Sequence, residues 1–460
     1  MSGMLHGRGL IGITLLLIIS LVAGSRSQDA VASDGAPSTA SAADLVDPLQ
    51  PFIVVLNDAA DPFSVANLHS LAYGIQVTHV YAHAIKGYAA GLTAAVRAAI
   101  EADPAVLFVS EDREVSLVGG SMAPGQVLSA GIDRIDADRS SARSGDGRGE
   151  INLNVAVIDT GIDLDHPDLN VVGGIDCTSG TGFDDPHVHG THVAGTVAAI
   201  DNATGVVGVA PGARLWAVRV LNKHGFGTTK NVICGIDFVT PTRTNSDPSD
   251  DISVANMSLG GPGSDDGNCG NSNKDAFHRA VCASVAAGVT HVVAAGNSGS
   301  DFQGSTPAAY DEVLTVTAMA DFDGRPGGRS PVPADCAASF AGFPTPTDDA
   351  VVFFSNFATT AADQSHTVAA PGVCVLSTFP GGGYDQISGT SMASPHVAGT
   401  VALCIAAGAC AGMTPSQIRA KIVSDSETYS LSHPDYGFEG DPLRPVSGKY
   451  YGFLVRAGLY

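Results

Sequence analysis

Two successive patterns of apolar and polar segments run along this chain, a short one and a long one, separated by a stretch rich in glycine and serine. The short pattern opens with Phe52-Ile53-Val54-Val55-Leu56, an apolar run of strand length. A helical stretch from Ser64 to Tyr73 and a strand from Gln76 to Tyr81 follow. Gly87-Tyr88-Ala89-Ala90-Gly91-Leu92, a helical stretch from Thr93 to Ala102 and a strand through Val106-Leu107-Phe108-Val109 complete it. This order predicts a small α+β unit of the split βαβ, ferredoxin-like kind. Residues 113 to 150, rich in Gly, Ser and Arg, read as a junction and an irregular arm, so a domain boundary belongs there.

From Ile151 onward strands and helices alternate: Asn154 to Ile158, His189 to Ile200, Arg214 to Val220, Thr229 to Phe238, Ile252 to Met257, Ala276 to Ala287 and Thr290 to Ala294. Alternation of this kind predicts an α/β fold with a doubly wound, mostly parallel sheet flanked by helices. Val397 to Ala407 is apolar nearly all round and predicts a central helix. Thr414-Pro415-Ser416-Gln417 places a capping Thr, a Pro at the first helical position and a reciprocal Gln, which starts a surface helix.

The N-terminus adds a targeting signal. Arg8, an apolar stretch from Leu10 to Ala23 and the small polar pair Gly24-Ser25 predict a signal peptide over residues 1–25. The stretch is shorter than the ~20 residues a bilayer span needs, so the mature protein is expected to be soluble and free of the membrane. Residues 26–50, mostly Ser, Ala, Asp and Gly, read as a disordered spacer. Eight cysteines in an exported chain point to disulfides rather than to zinc, since none forms a CxxC pair. A net charge of −23 disfavours nucleic acid and anionic lipid as partners.

Four segments carry chemistry. Val155-Ala156-Val157-Ile158-Asp159-Thr160-Gly161 delivers a carboxylate at the end of an apolar strand, where open α/β sheets place their crevice. Alone it would also fit an ordinary turn. His189-Gly190-Thr191-His192 opens a helix of small residues that can press against the sheet, with His187 and His192 read as loop and packing residues. Thr290 to Asn297 is a strand ending in an uncharged amide that can donate to a developing oxyanion. In Gly389-Thr390-Ser391-Met392-Ala393, Ser391 stands at a helix N-terminus, whose free N–H groups favour negative charge.

Together, Val157-Ile158-Asp159-Thr160-Gly161, His189-Gly190-Thr191-His192 and Gly389-Thr390-Ser391-Met392-Ala393 resemble the three signatures of the subtilisin-like serine protease family. The resemblance implies a secreted serine endopeptidase with Asp159, His189 and Ser391 as catalytic triad and Asn297 in the oxyanion hole. Ser258-Leu259-Gly260 and Gly225-Phe226-Gly227 resemble its substrate-binding edges, between which an extended polypeptide would add as a strand. Ala294, Ala295, Gly296 and Ser305 resemble an uncharged first subsite that favours large apolar side chains. Calcium is the implied cofactor: Asp168 and Asn202, joined by Gln126 and the carbonyls of Ile200, Thr204 and Val206, resemble a structural site for it. Residues 51–118 resemble the family's inhibitor-type prodomain, which would block the cleft of a monomeric catalytic domain, residues 119–460, until self-cleavage, near Val118 by the length of the tail or a few residues later by the match of Gln126 to the mature arm.

The chain departs from small family members in its cysteines and in an insertion between Asp321 and Val352. Local spacing favours the pairs Cys269 with Cys282 and Cys404 with Cys410; Cys336 with Cys374 and Cys177 with Cys234 follow by exclusion. A lipase-like hydrolase would need its serine first in chain order, and a kexin-type processing enzyme would add a β-rich domain after the catalytic one. A noncatalytic scaffold on the same fold has no need of an intact triad and Asn297.

Overall fold

A computed structural model of the chain describes residues 49–57, 59–81, 86–111, 125–178, 182–328 and 330–460. The expected signal peptide, the expected spacer apart from Leu49 and Gln50, and the junction from 112 to 124 lie outside the described residues. The chain divides into two units between Leu117 and Val118. Among the described residues no helix is long and apolar enough to cross a membrane.

The first unit runs β1 (Gln50–Leu56), α1 (Pro62–Tyr73), β2 (Val77–Tyr81), β3 (Gly87–Leu92), α2 (Ala94–Glu101) and β4 (Val106–Glu111). Its antiparallel sheet has the order β2-β3-β1-β4, the split βαβ arrangement. Strand β1 starts at Gln50 rather than Phe52, because Gln50 pairs with Leu92 and extends the ladder. Asp61 caps α1 through Ser64 N, with Pro62 in its first turn, and Gly74 ends it in the left-handed region. Val54, Leu56, Tyr88, Leu92 and Ile100 are buried as its core.

The second unit opens with α3 (Ala130–Arg134), β5 (Asn154–Asp159), β6 (Val171–Asp176), α4 (His189–Ala198), β7 (Arg214–Arg219), α5 (Thr229–Val239) and β8 (Ile252–Met257). It continues through β9 (Gly261–Pro262), α6 (Ala276–Ala287), β10 (Thr290–Ala294), β11 (Ser305–Thr306), β12 (Leu314–Ala320), α7 (Ala334–Ser339), β13 (Ala350–Val351) and α8 (Ala361–Gln364). The final elements are β14 (Thr367–Pro371), β15 (Val375–Phe379), β16 (Gly383–Ile387), α9 (Thr390–Ala406), α10 (Pro415–Ser432) and β17 (Phe453–Leu454). The main sheet has the order β17-β14-β12-β10-β8-β5-β7-β6; all of these pairs are parallel, and β13 adds antiparallel to β12.

Strand β5 shows why the sheet is covered on both sides. Val155 and Val157 belong to one core with Val193 of α4 and Val397 of α9, while Ala156 and Ile158 belong to another with Ile236 of α5 and Val281 of α6. The two-residue period of the strand therefore serves two helical layers, and every position between the polar ends Asn154 and Asp159 is apolar. After β5 the chain builds β6 and β7 on one side of the sheet and the remaining strands on the other, so β5 and β8 flank the switch in strand order.

Helix α4 ends at Ala198, short of the expected Ile200, because Ile200 N donates to the Asp168 carbonyl instead of continuing the helical ladder. Helix α9 begins at Thr390, well ahead of the expected Val397. All four disulfides join the pairs favoured by spacing and exclusion: Cys177–Cys234, Cys269–Cys282, Cys336–Cys374 and Cys404–Cys410. In the insertion, Asp321 and Asp349 hold the buried Arg134 at 3.0 and 2.7 Å, which anchors α3 beneath it. The carbonyls of Tyr436 and Gly437 accept from Nη2 of the same guanidinium, which leaves Nη1 as its one unpartnered nitrogen.

Candidate active site

Asp159 lies fully buried at the carboxyl end of β5, and His189 is the first residue of α4. With its proton on Nδ1, the imidazole donates to both carboxylate oxygens, at 2.8 and 2.9 Å. The helix can start this close because residue 190 is Gly: a Cβ there would sit 2.0 Å from the Gly161 carbonyl oxygen. Gly190 N donates to Thr160 Oγ1, and Thr191 N and Oγ1 donate to Asp185, so side chains occupy the free donors of the helix end. Burial disfavours a charged His189, but the Asp159 carboxylate outweighs it through charge and hydrogen bond, and the imidazole pKa stands above its ordinary value.

Ser391 sits in the first turn of α9, and its setting depends on a residue four positions on. Pro395 lies inside the helix and has no N–H to give the Ser391 carbonyl. The Ser258 hydroxyl supplies that bond at 2.7 Å, and Ser391 Oγ donates in return to the Ser258 carbonyl at 3.3 Å. A proline that would end most helices is thus tolerated, which is why the helix reaches back to Thr390. The Ser258 Oγ also accepts from Asn256 Nδ2, and Ser394 Oγ donates to Asn256 Oδ1, closing a buried network.

Asn297 is oriented by Thr390. Its Oδ1 accepts from Thr390 N at 2.8 Å and from Thr390 Oγ1 at 2.9 Å, so its carbonyl end is occupied and its amide end is left to donate elsewhere. Gly296 before it adopts φ +102°, and a Cβ there would meet Asn356 Nδ2 at 2.5 Å. Asn356 in turn donates to the Ala295 carbonyl and accepts from Ser298 and Ser300 N, holding the turn. The sequence gives no sign of the roles of Thr390 and Asn356, whose partners lie 93 and 61 residues away, nor of Pro395, whose neighbour Ser391 is supported by the distant Ser258.

His189, Ser391 and Asn297 line one cleft of about 1110 Å³. Gly225 to Gly227, Ser258 to Gly260, Ala294 to Gly296 and Ser305 line the same cleft, with Phe226 largely exposed. No Asp, Glu, Lys or Arg is among the described residues lining it. His187 also lines the cleft and accepts from His189 N, whereas His192 is fully buried against the Val375 carbonyl, its pKa pushed down to about 3 by burial.

The residues expected to hold calcium also gather. Asp168 is buried, accepts from Val206 N and from Asn202 Nδ2, and its pKa is raised, chiefly by burial. Gln126 Nε2 donates to the carbonyls of Ile200 and Val206, and Asn202 Oδ1 accepts from Thr204 N and Oγ1. Side-chain amides therefore turn their positive ends toward a carboxylate and two carbonyls. This oxygen-rich set fits a hard cation, which would neutralise the same atoms.

Residues 151–439 match the Subtilase family, and residues 51–118 match the peptidase inhibitor I9 family. Subtilisin DY of Bacillus licheniformis is 40% identical over 282 residues, covering 60% of this chain and 84% of that protein. Subtilisin E of Bacillus subtilis (strain 168) is 37% identical over 309 residues, 66% of each chain. A solved cold adapted subtilisin-like serine proteinase matches with a TM-score of 0.50 at 28% identity, over 72% of this chain and 98% of that one. The chain therefore belongs to the subtilase family of serine endopeptidases, its protease unit preceded by an inhibitor-type propeptide.

Proposed function

We propose that the chain is made as a secreted zymogen and cleaves proteins through an acyl-enzyme on Ser391, with Asp159 and His189 completing the triad. The observation that carries this reading is the bidentate Asp159–His189 contact opening on the same cleft as Ser391 and Asn297. Ser391 Oγ would leave the Ser258 carbonyl, give its proton to His189 Nε2 and attack the scissile carbonyl carbon. Asp159 stabilises the imidazolium that forms. Asn297 Nδ2 and the Ser391 N–H, at the positive end of α9, stabilise the oxyanion. His189 then returns the proton to the leaving amine, and a water molecule, activated by the same imidazole, releases the acyl group.

The glycines of residues 225–227 and 258–260 let a substrate backbone lie close along both sides of the cleft. The absence of charged residues from its described lining favours apolar side chains at the first subsite, since a buried unpaired charge is costly. The propeptide unit would occupy this cleft with its C-terminal tail until cleaved. Calcium held by Asp168, Asn202, Gln126 and the carbonyls of Ile200, Thr204 and Val206 would supply structural charge neutralisation, far from any proton transfer.

The Ser391→Ala chain neither hydrolyses casein nor releases its propeptide, while Asn297→Ala lowers kcat about a hundredfold with little change in KM, as single-turnover and steady-state assays would record. The neutral imidazole is the active base and its pKa is raised, so kcat/KM should fall as pH drops through a value above 6.5. Asp159→Asn removes the two largest raising causes and leaves burial opposed only by the Asp185 charge, so the acid limb of the pH profile should move downward as activity collapses. In a peptide library, large apolar residues before the cut should exceed Lys and Arg by roughly tenfold in kcat/KM. Chelation should lower the melting temperature by roughly 5 °C or more, and Asp168→Asn should remove that sensitivity.

A further inference from the structure

At the ends of the strands remote from the cleft, a buried histidine faces two carboxylates without touching either. His366, the residue before β14, is fully buried, and neither of its ring nitrogens has a hydrogen-bond partner. Its Nε2 lies 3.8 Å from Asp311 Oδ1 and 3.9 Å from Asp363 Oδ1. Those gaps exceed hydrogen-bond length, and an unpaired buried donor or acceptor is destabilising. One donor atom from each of the three residues lies within 4.8 Å of the other two. Atoms bound at about 2.0–2.2 Å to a shared ion lie roughly 3–4 Å apart, close to this spacing.

We propose that Asp311, Asp363 and His366 bind one divalent transition-metal ion of the zinc class. One imidazole nitrogen with two carboxylate oxygens is a borderline donor set that suits zinc better than calcium, whose sites are built from oxygen alone. Asp363 is buried and its Oδ2 accepts from Thr360 Oγ1, so that carboxylate is already oriented in the manner of a supported ligand. Asp311 is half exposed and opens the site to solvent. Arg419, the cation nearest in effect to Asp311, leaves its own Nε and Nη1 without partners. The neighbouring His278 differs in kind: its Nε2 already meets Glu312 at 2.8 Å, which leaves that nitrogen no room for an ion.

The ion would act structurally. Asp311 precedes β12, Asp363 lies in α8, and His366 leads into β14 through its carbonyl, which accepts from Thr315 N. It would clamp α8 to the starting ends of two adjacent parallel strands, whereas Asp159 stands at the finishing end of β5.

The test uses the full chain carrying Ser391→Ala to prevent self-digestion, stripped with chelator and kept in excess calcium to saturate hard oxygen sites. Addition of Zn2+ should leave one ion per chain after gel filtration, by mass spectrometry of the metal, and raise the melting temperature. Co2+ should give the visible absorption bands of an imidazole-ligated ion. His366→Asn and Asp311→Asn should each weaken binding at least roughly tenfold. Asp311 is half exposed, so its variant keeps the test valid if loss of His366 impairs folding. Failure of Zn2+ to bind in this excess of Ca2+, or binding that survives both substitutions, would each overturn the proposal.

Discussion

The close approach of two helix N-termini to the finishing ends of parallel strands is the constraint on which the rest of this structure depends. Helix α4 reaches Asp159 only because Gly190 lies against the Gly161 carbonyl, and further along, a Cβ on Gly195 would strike Thr378 Oγ1 at 2.1 Å. Helix α9 meets the same requirement at its start, since a Cβ on Gly372, just past the end of β14, would lie 2.7 Å from the Gly389 carbonyl oxygen. Small residues therefore set the distance between helix and sheet, and that distance sets whether an imidazole and a carboxylate can share a proton. Larger residues at these positions would separate the layers before they altered any polar group.

Around this contact the buried polar groups are matched rather than merely tolerated. Asp159 has the imidazole of His189 and the backbone N of Thr160, Asn297 has Thr390, and Arg134 has two aspartates and two carbonyls. Apart from the Asp159–Thr160 contact, each match joins elements far apart in sequence, so these polar contacts form only with the tertiary fold. His366, between Asp311 and Asp363, departs from this pattern, with both of its ring nitrogens left unmatched.

Motif chemistry and sheet architecture were legible in the sequence because their determinants are local. A run such as Val155 to Asp159 states its own burial, and Gly190 and Thr191 stand beside the histidine they position. The supports of Ser391 and Asn297 were hidden for the opposite reason: Ser258 and Ser391 are 133 residues apart, and Asn297 and Thr390 are 93 apart. The start of α9 was placed too late because proline ordinarily marks a helix boundary, and the hydroxyl that compensates for Pro395 lies on another strand's exit. Two disulfides were legible from spacing within one loop, while the other two, closing 57 and 38 residues, emerged only once those were assigned.

The gap that Pro395 leaves in α9 makes the position of Ser391 conditional on β8. In an uninterrupted helix the Ser391 carbonyl would be held by its own chain, whatever happened nearby. Here it is held by the Ser258 hydroxyl, just past the end of β8, so a slight loosening between helix and strand releases the serine while both elements remain formed. Heat or denaturant would accordingly silence such a molecule before melting it, through a local opening far smaller than global unfolding.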